Sequence, residues 1–228
     1  MYKTFVIDYN PQTARMAEAV EEKANEIAGA GFKVLSFSVT NSGKAIILAE
    51  QGIETEELQI GNRDIRGCIA CRKCKETGKC VFNDLVNETA PKLAEASGLI
   101  LGSPVYYGNP NGTILSFVQR LFYSCGLDLR MKVGASIVSC RRGGNSATFE
   151  ALNQFFGICG MPTAPSSYWN DVHGYTKEDV YRDEEGLQTV RNLALNMAFM
   201  IKSIADGKGR YGAPATVTDV FTDFIGGR

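Results

Sequence analysis

Short β-branched runs alternate along this chain with stretches of helical periodicity, and that alternation admits few folds. A strand followed by a helix and then another strand favours a parallel sheet covered by helices, the α/β arrangement. Residues 4–8 read as a strand and residues 14–28 as a helix with Met16, Val20, Ala24 and Ile27 on one face. Residues 32–39 and 53–60 read as further strands. Asp84 can cap a helix reaching about residue 96. Residues 98–103 form a buried strand that ends at Pro104, and residues 112–123 a helix. Residues 133–139 are the next buried strand, broken by Arg141-Arg142-Gly143-Gly144, with a helix over 147–156 and a short strand within 162–168. Asp183 caps the last helix, whose stripe is Leu187, Val190, Leu193, Met197, Ile201 and Ile204, and Asp206-Gly207 is expected to end it. Repeats and low-complexity linkers are absent, so the expectation is one doubly wound domain over residues 1–228, with a Gly/Pro-rich tail over 208–228.

With 24 Lys and Arg against 25 Asp and Glu, the net charge is −1, which argues against nucleic acid or an anionic membrane as partner. No apolar run reaches membrane-spanning length, and the first residues lack the pattern of a secretion signal. Seven cysteines, an odd number, without such a signal point to a reducing compartment, and the cytoplasm is the expected location.

Four of those cysteines fall within thirteen residues, Cys68, Cys71, Cys74 and Cys80, spaced C-x2-C-x2-C-x5-C. Thiols at every third residue with a fourth just downstream can wrap a loop around one cubane of iron and sulfide, one sulfur to each iron. Zinc sites more often use two C-x2-C pairs with a longer spacer. The spacing therefore speaks first for an iron–sulfur cluster, with zinc or unligated thiols as the alternatives. Lys73, Lys75 and Lys79 favour thiolates for any metal and do not discriminate. Cys125, Cys140 and Cys159 are scattered and read as small core or loop residues.

Ligands of an open parallel sheet bind beyond the carboxyl ends of its strands. Three loops are expected there. The first ends in Gln12 and Thr13, where amides at a helix start can hold a phosphate or simply cap the helix. The second contains Ser103, Pro104, Val105, Tyr106, Tyr107, Gly108 and Asn109; paired aromatics and amides freed by a glycine suit a flat, polar-edged ring such as isoalloxazine. The third, Ser139, Cys140, Arg141, Arg142, Gly143 and Gly144, offers amides and two guanidinium groups to a reduced flavin's negative charge. Residues 38–43 form a rival phosphate loop, read as lying before a short helical stretch. Trp169, Asn170 and His173 make a polar-aromatic segment that fits either a pocket wall or a surface turn.

Gly102 to Gly108, Leu115 to Arg120 and the run Gly67-Cys-Ile-Ala-Cys-Arg-Lys-Cys together resemble the flavodoxin-like NAD(P)H-dependent FMN reductases, and within them the iron–sulfur flavoproteins. The resemblance covers about residues 53–221. It implies a flavodoxin-like three-layer sandwich with a five-stranded parallel sheet of order 2-1-3-4-5 and a cysteine-rich loop insertion at 67–81. It also implies non-covalent FMN and a homodimer or homotetramer. On that resemblance residues 104–109 edge the isoalloxazine, residues 139–144 its pyrimidine side, and Cys68, Cys71, Cys74 and Cys80 hold a 4Fe–4S cluster. NAD(P)H is then the co-substrate, docking directly on the flavin because no G-x-G-x-x-G motif is present. The electron acceptor is a small molecule, such as a quinone, a nitro or azo compound or free flavin, or else the cluster. No acid–base residue is required, and Tyr106 and Tyr107 are candidates for the substrate face. The phosphate loop departs from the family's longer Gly-Ser-Pro-Arg…Gly-Asn-Thr pattern, and sequence precedes residue 53 that relatives lack. The rival readings are an electron carrier without turnover between ferredoxin-like partners, and a zinc-stiffened binding module.

Overall fold

The computed structural model describes the strands Thr4–Val6 (β1), Val34–Thr40 (β2) and Lys44–Ala49 (β3), and residues 53–222 except 54, 62, 218 and 221. The remaining elements are α1 (Lys73–Thr77), α2 (Leu85–Glu95), β4 (Gly98–Tyr106), β5 (Asn109–Pro110), α3 (Gly112–Ser124), β6 (Val133–Cys140), α4 (Asn145–Ile158), β7 (Asp171–His173), α5 (Lys177–Arg182) and α6 (Glu184–Tyr211).

Strand β6 lies between β4 and β7, parallel to both, and β5 folds back antiparallel on β4. Side chains alternate across β6 as a strand with two covered faces requires. Val138 packs with Leu101 against Phe117, Val118 and Leu121 of α3 and Leu152 and Phe156 of α4. Val133 and Ala135 face Leu193 and Met197 of α6 on the other side. Helices thus cover both faces of a mostly parallel sheet. Each helix start is capped by a side-chain oxygen where the sequence offers one: Asp84 accepts from Val86 N, Asn111 from Thr113 N and Asp183 from Gly186 N. Asp183 also accepts from His173 N at 2.6 Å, which ties the end of β7 to the start of α6.

Several expectations need correction. The five-stranded order 2-1-3-4-5 is not what the described residues form. β1 and β2 both pair antiparallel with β3, in a separate three-stranded sheet. Only three residues separate β2 from β3, whereas a parallel return needs a crossover of a dozen or more. The stretch from residue 44 is therefore strand, not helix. Residues 53–60 form no strand among those described, although Leu58 and Ile60 still pack against the core. Within 162–168 there is one bridge, Gly134 to Thr163, because Pro162 and Pro165 lack the N–H groups a ladder needs. The paired strand comes later, at β7. Finally, α6 runs through Asp206-Gly207 to Tyr211, so residues 208–211 of the expected tail are helical. An Arg210–Asp206 pair at 3.0 Å supports the extra turn, and the helix stops at Gly212, whose φ of 77° suits a glycine. The expected helix over 14–28 lies outside the described residues.

The packing leaves no room at one point of β6. A Cβ on Gly134 would sit 2.5 Å from the Phe156 ring. Gly134→Ala should lower stability by about 1–3 kcal/mol through overpacking, read as a lower urea midpoint at unchanged slope.

Candidate functional site

Parallel register brings two of the three expected loops to the same level. Pro104 of β4 pairs with Ser139 of β6, and Cys140 pairs with His173 of β7. Tyr106 pairs with Asn109, leaving Tyr107 and Gly108 as a two-residue turn with φ of 50° and 76°. Positive φ at both positions is the hairpin geometry that suits strand twist. The Tyr107 side chain is fully exposed at its tip. The third loop meets this turn closely: a Cβ on Gly144 would lie 2.8 Å from Gly108 Cα and 2.9 Å from Val105 Cγ1. The crest of the sheet is thus a main-chain surface, with Arg141, Arg142 and Gly143 exposed beside it.

Side chains at the crest divide into braces and free groups. Ser103 is buried; its hydroxyl donates to Pro104 O at 2.8 Å and accepts from Asn111 N at 2.9 Å, locking the strand end to the α3 cap. Cys140 is buried as well. Desolvation, reinforced by the Asp171 and Asp183 carboxylates, pushes its thiol pKa up, so it stays neutral. Asp171 in turn accepts a hydrogen bond from Asn145 Nδ2 at the start of α4. Arg141 stacks over the Tyr175 ring at 5.2 Å, a partner that the sequence pattern gave no reason to seek. Asn170 belongs to the sheet rather than to a pocket wall: it is buried and its carbonyl accepts from Val138 N. Gln12 and Thr13 lie outside the described residues. Of the rival phosphate loop, Ser38 to Thr40 are laddered to β3, which engages main-chain groups an anion loop leaves free.

The cysteine run forms a second centre. Cys68, Cys71, Cys74 and Cys80 all line one open pocket, with Phe82, Arg120 and Tyr123 completing its wall. Ala70 and Arg72 take left-handed φ of 52° and 58° on either side of Cys71. Such conformations cost about 1 kcal/mol or more for a residue with a Cβ, and here they coil the loop so that its sulfurs share that pocket. Among the described residues no three Cys, His, Asp or Glu side chains form a group that could hold a single metal ion. The donor set, four sulfurs with two exposed and two half-buried, suits a polynuclear group.

Cys80 is the most firmly held. Asn87 accepts from its N–H and donates to its carbonyl, both at 2.9 Å. Arg120, only 1% exposed on α3, donates through Nε and Nη2 to Cys80 Sγ at 3.2 and 3.1 Å. Asp84 clamps the same guanidinium through both oxygens, at 2.7 and 2.9 Å. Burial opposes the Arg120 charge, but the hydrogen bonds it donates to Asp84 and Cys80 outweigh that and hold its pKa above the ordinary value.

Residues 12–176 match the family of NADPH-dependent FMN reductases. The chain belongs to that family. An iron-sulfur flavoprotein of Methanocaldococcus jannaschii is 37% identical over 167 residues, which is 69% of this chain and 86% of the relative. One from Methanosarcina thermophila is 29% identical over 173 residues, 74% of this chain and 90% of the relative. Among solved structures, a WrbA-like flavodoxin from Agrobacterium tumefaciens aligns over 51% of this chain and 73% of its own, with TM-score 0.43 and 18% identity. Rubredoxin oxygen:oxidoreductase of Desulfovibrio gigas aligns over 58% of this chain and 28% of its own, with TM-score 0.41 and 16% identity.

Membership makes this FMN reductase relative a flavin-dependent oxidoreductase of flavodoxin-like α/β type. The family match begins at residue 12, well before residue 53. No helix among the described residues is long and apolar enough to cross a membrane. Arg120 lies within the stretch that resembles the family, and that resemblance assigns it no role. A signal existed: a cation at the helical spacing of Phe117 and Ser124, inside an apolar stripe.

Gly144→Ala tests the crest. A side chain at φ 83° is strained and would push the two loops apart. The FMN dissociation constant should rise on the order of tenfold (~1.4 kcal/mol), measured by flavin fluorescence, with unchanged far-UV circular dichroism.

Proposed function

We propose that this protein is an FMN-dependent oxidoreductase that draws electrons from NAD(P)H and holds a 4Fe–4S cluster on Cys68, Cys71, Cys74 and Cys80. One observation carries the reading: the crest built from residues 103–109 and 139–144 and the four-thiol pocket stand at the two ends of α3. Asn111, its cap, is bonded to Ser103 at the crest, while Arg120, Tyr123 and Ser124 line the cysteine pocket. From Gly112 to Arg120 the helix advances about 12 Å, at roughly 1.5 Å per residue. The name carried by the relatives, iron-sulfur flavoprotein, supports the same pairing.

The crest fits FMN in its chemistry. Pro104 to Asn109 would lie along the ring edge and Ser139 to Gly144 along its pyrimidine side, both through main-chain groups. Gln12 and Thr13, where the family match starts, would hold the phosphate. FMN supplies hydride and single-electron transfer when bound. The chain supplies the setting. Arg141 and Arg142 bring positive charge to the crest, Cys140 beneath it stays neutral, and Ser103 keeps the strand end rigid. Tyr106 and Tyr107 would form the face on which the nicotinamide and then a quinone, nitro or azo acceptor, or free flavin, is received. Exposure of Cys68 and Cys71 favours a second reading, a carrier that hands electrons to a ferredoxin-like protein.

Purification without oxygen tests the assignment. The expected preparation carries FMN, about four iron and about four acid-labile sulfide per chain, and oxidises NAD(P)H steadily with a quinone. Flavin without iron would remove the cluster and leave the reductase. Little turnover without a protein partner would favour the carrier, and failure to take up added FMN would overturn the whole reading. Cys71→Ser should abolish the iron while flavin content and far-UV circular dichroism stay unchanged.

A further inference from the structure

Arg120 carries a charge into the interior, and every donor it owns is engaged there. Nη1 donates to Arg66 O at 3.2 Å and to Asp84 Oδ2, Nη2 to Asp84 Oδ1 and Cys80 Sγ, and Nε to Cys80 Sγ. The guanidinium also lies 4.9 Å from the centre of the Phe82 ring. A buried guanidinium is stable only when its fork is filled by strong acceptors. Asp84 is one. The other arm grips a sulfur with two N–H groups, an arrangement normally seen against a carboxylate or phosphate. A neutral thiol is a weak acceptor and gives little return for two charged donors. The arrangement is sensible if that sulfur carries negative charge, as a ligating thiolate does.

We propose that Arg120 is a positioning residue of the iron–sulfur site: its fork holds the Cys80 sulfur, and the Arg120–Asp84 pair sets the reduction potential of the cluster. This rests on the cluster reading above. Hydrogen bonds and net charge at the sulfurs are among the main determinants of such potentials. The reduced cluster bears one more negative charge, so a guanidinium beside it favours reduction, while Asp84, on the adjoining edge of the same guanidinium, tempers that pull. The two residues therefore act in opposite directions on one quantity. A purely structural brace would not: loss of either partner would only loosen the loop.

That opposition supplies the test. Wild type, Arg120→Gln, Arg120→Lys and Asp84→Asn are purified as full chains without oxygen, and the cluster is titrated with dithionite and followed by electron paramagnetic resonance. Asparagine caps a helix as well as aspartate does, so Asp84→Asn keeps the start of α2. The expected potential is more negative than wild type in Arg120→Gln and more positive in Asp84→Asn. Arg120→Lys, which keeps the charge and loses the fork, should fall between wild type and Arg120→Gln. Iron loss to a chelator should quicken roughly 10- to 100-fold in Arg120→Gln, the usual effect of removing a partner of a ligand, with partial rescue by lysine. Iron-free wild type would remove the cluster reading and this inference together. An iron-loaded wild type whose potential is matched by Arg120→Lys and Asp84→Asn, or shifts of one sign in both, would overturn this inference alone. Those two variants carry the test if Arg120→Gln fails to fold.

Discussion

Parallel pairing of β4 with β6 is the constraint from which the rest follows. Register in a sheet is an all-or-none property, since a slip of one residue sends every side chain to the opposite face. With Leu101 and Val138 buried on one face and Val133 and Ala135 on the other, only one alignment satisfies both layers of helices. That alignment sets Pro104 beside Ser139, and the loops that leave those residues have no choice but to meet. The contact between Gly108 and Gly144 is the local expression of a decision taken in the core. So is the direction of α3, which starts at the crest and ends at the cysteines.

The cysteine loop depends on the same scaffold at one remove. Its residues bury little of their own: Cys68 and Cys71 are exposed, and α1 has no buried residue. What gives it shape is polar and borrowed. Asn87 of α2 takes both main-chain groups of Cys80, the Thr77 hydroxyl donates to the Lys73 carbonyl and accepts from Lys79 N, and Arg120 reaches across from α3. A loop held this way is ordered largely by hydrogen bonds to two rigid helices, with Cys80 also packed against the apolar core.

Much of this could be read from residue order alone, where the signal was local. The caps Asp84 and Asp183 and the apolar runs at 98–103 and 133–139 each announce themselves within a few positions, and the corresponding elements are present. Signals that depend on distant partners were harder. The runs at 4–8 and 32–39 look like strands and contain strands, but nothing in them says which neighbour they choose; β3 takes both. Asp206-Gly207 looks like a stop, yet both residues stay helical and the chain leaves the helix only at Gly212. Arg120 is unremarkable in a string of letters because its meaning lies in residues 36 and 40 positions away.

The hairpin tip at Tyr107 has a different significance. Its fold comes from main-chain geometry and from Asn109, which donates to the Tyr107 carbonyl, and owes nothing to the tyrosine ring. Any residue that tolerates φ near 50° could occupy that place without disturbing the sheet below. A lineage could therefore exchange this one side chain while leaving its architecture untouched.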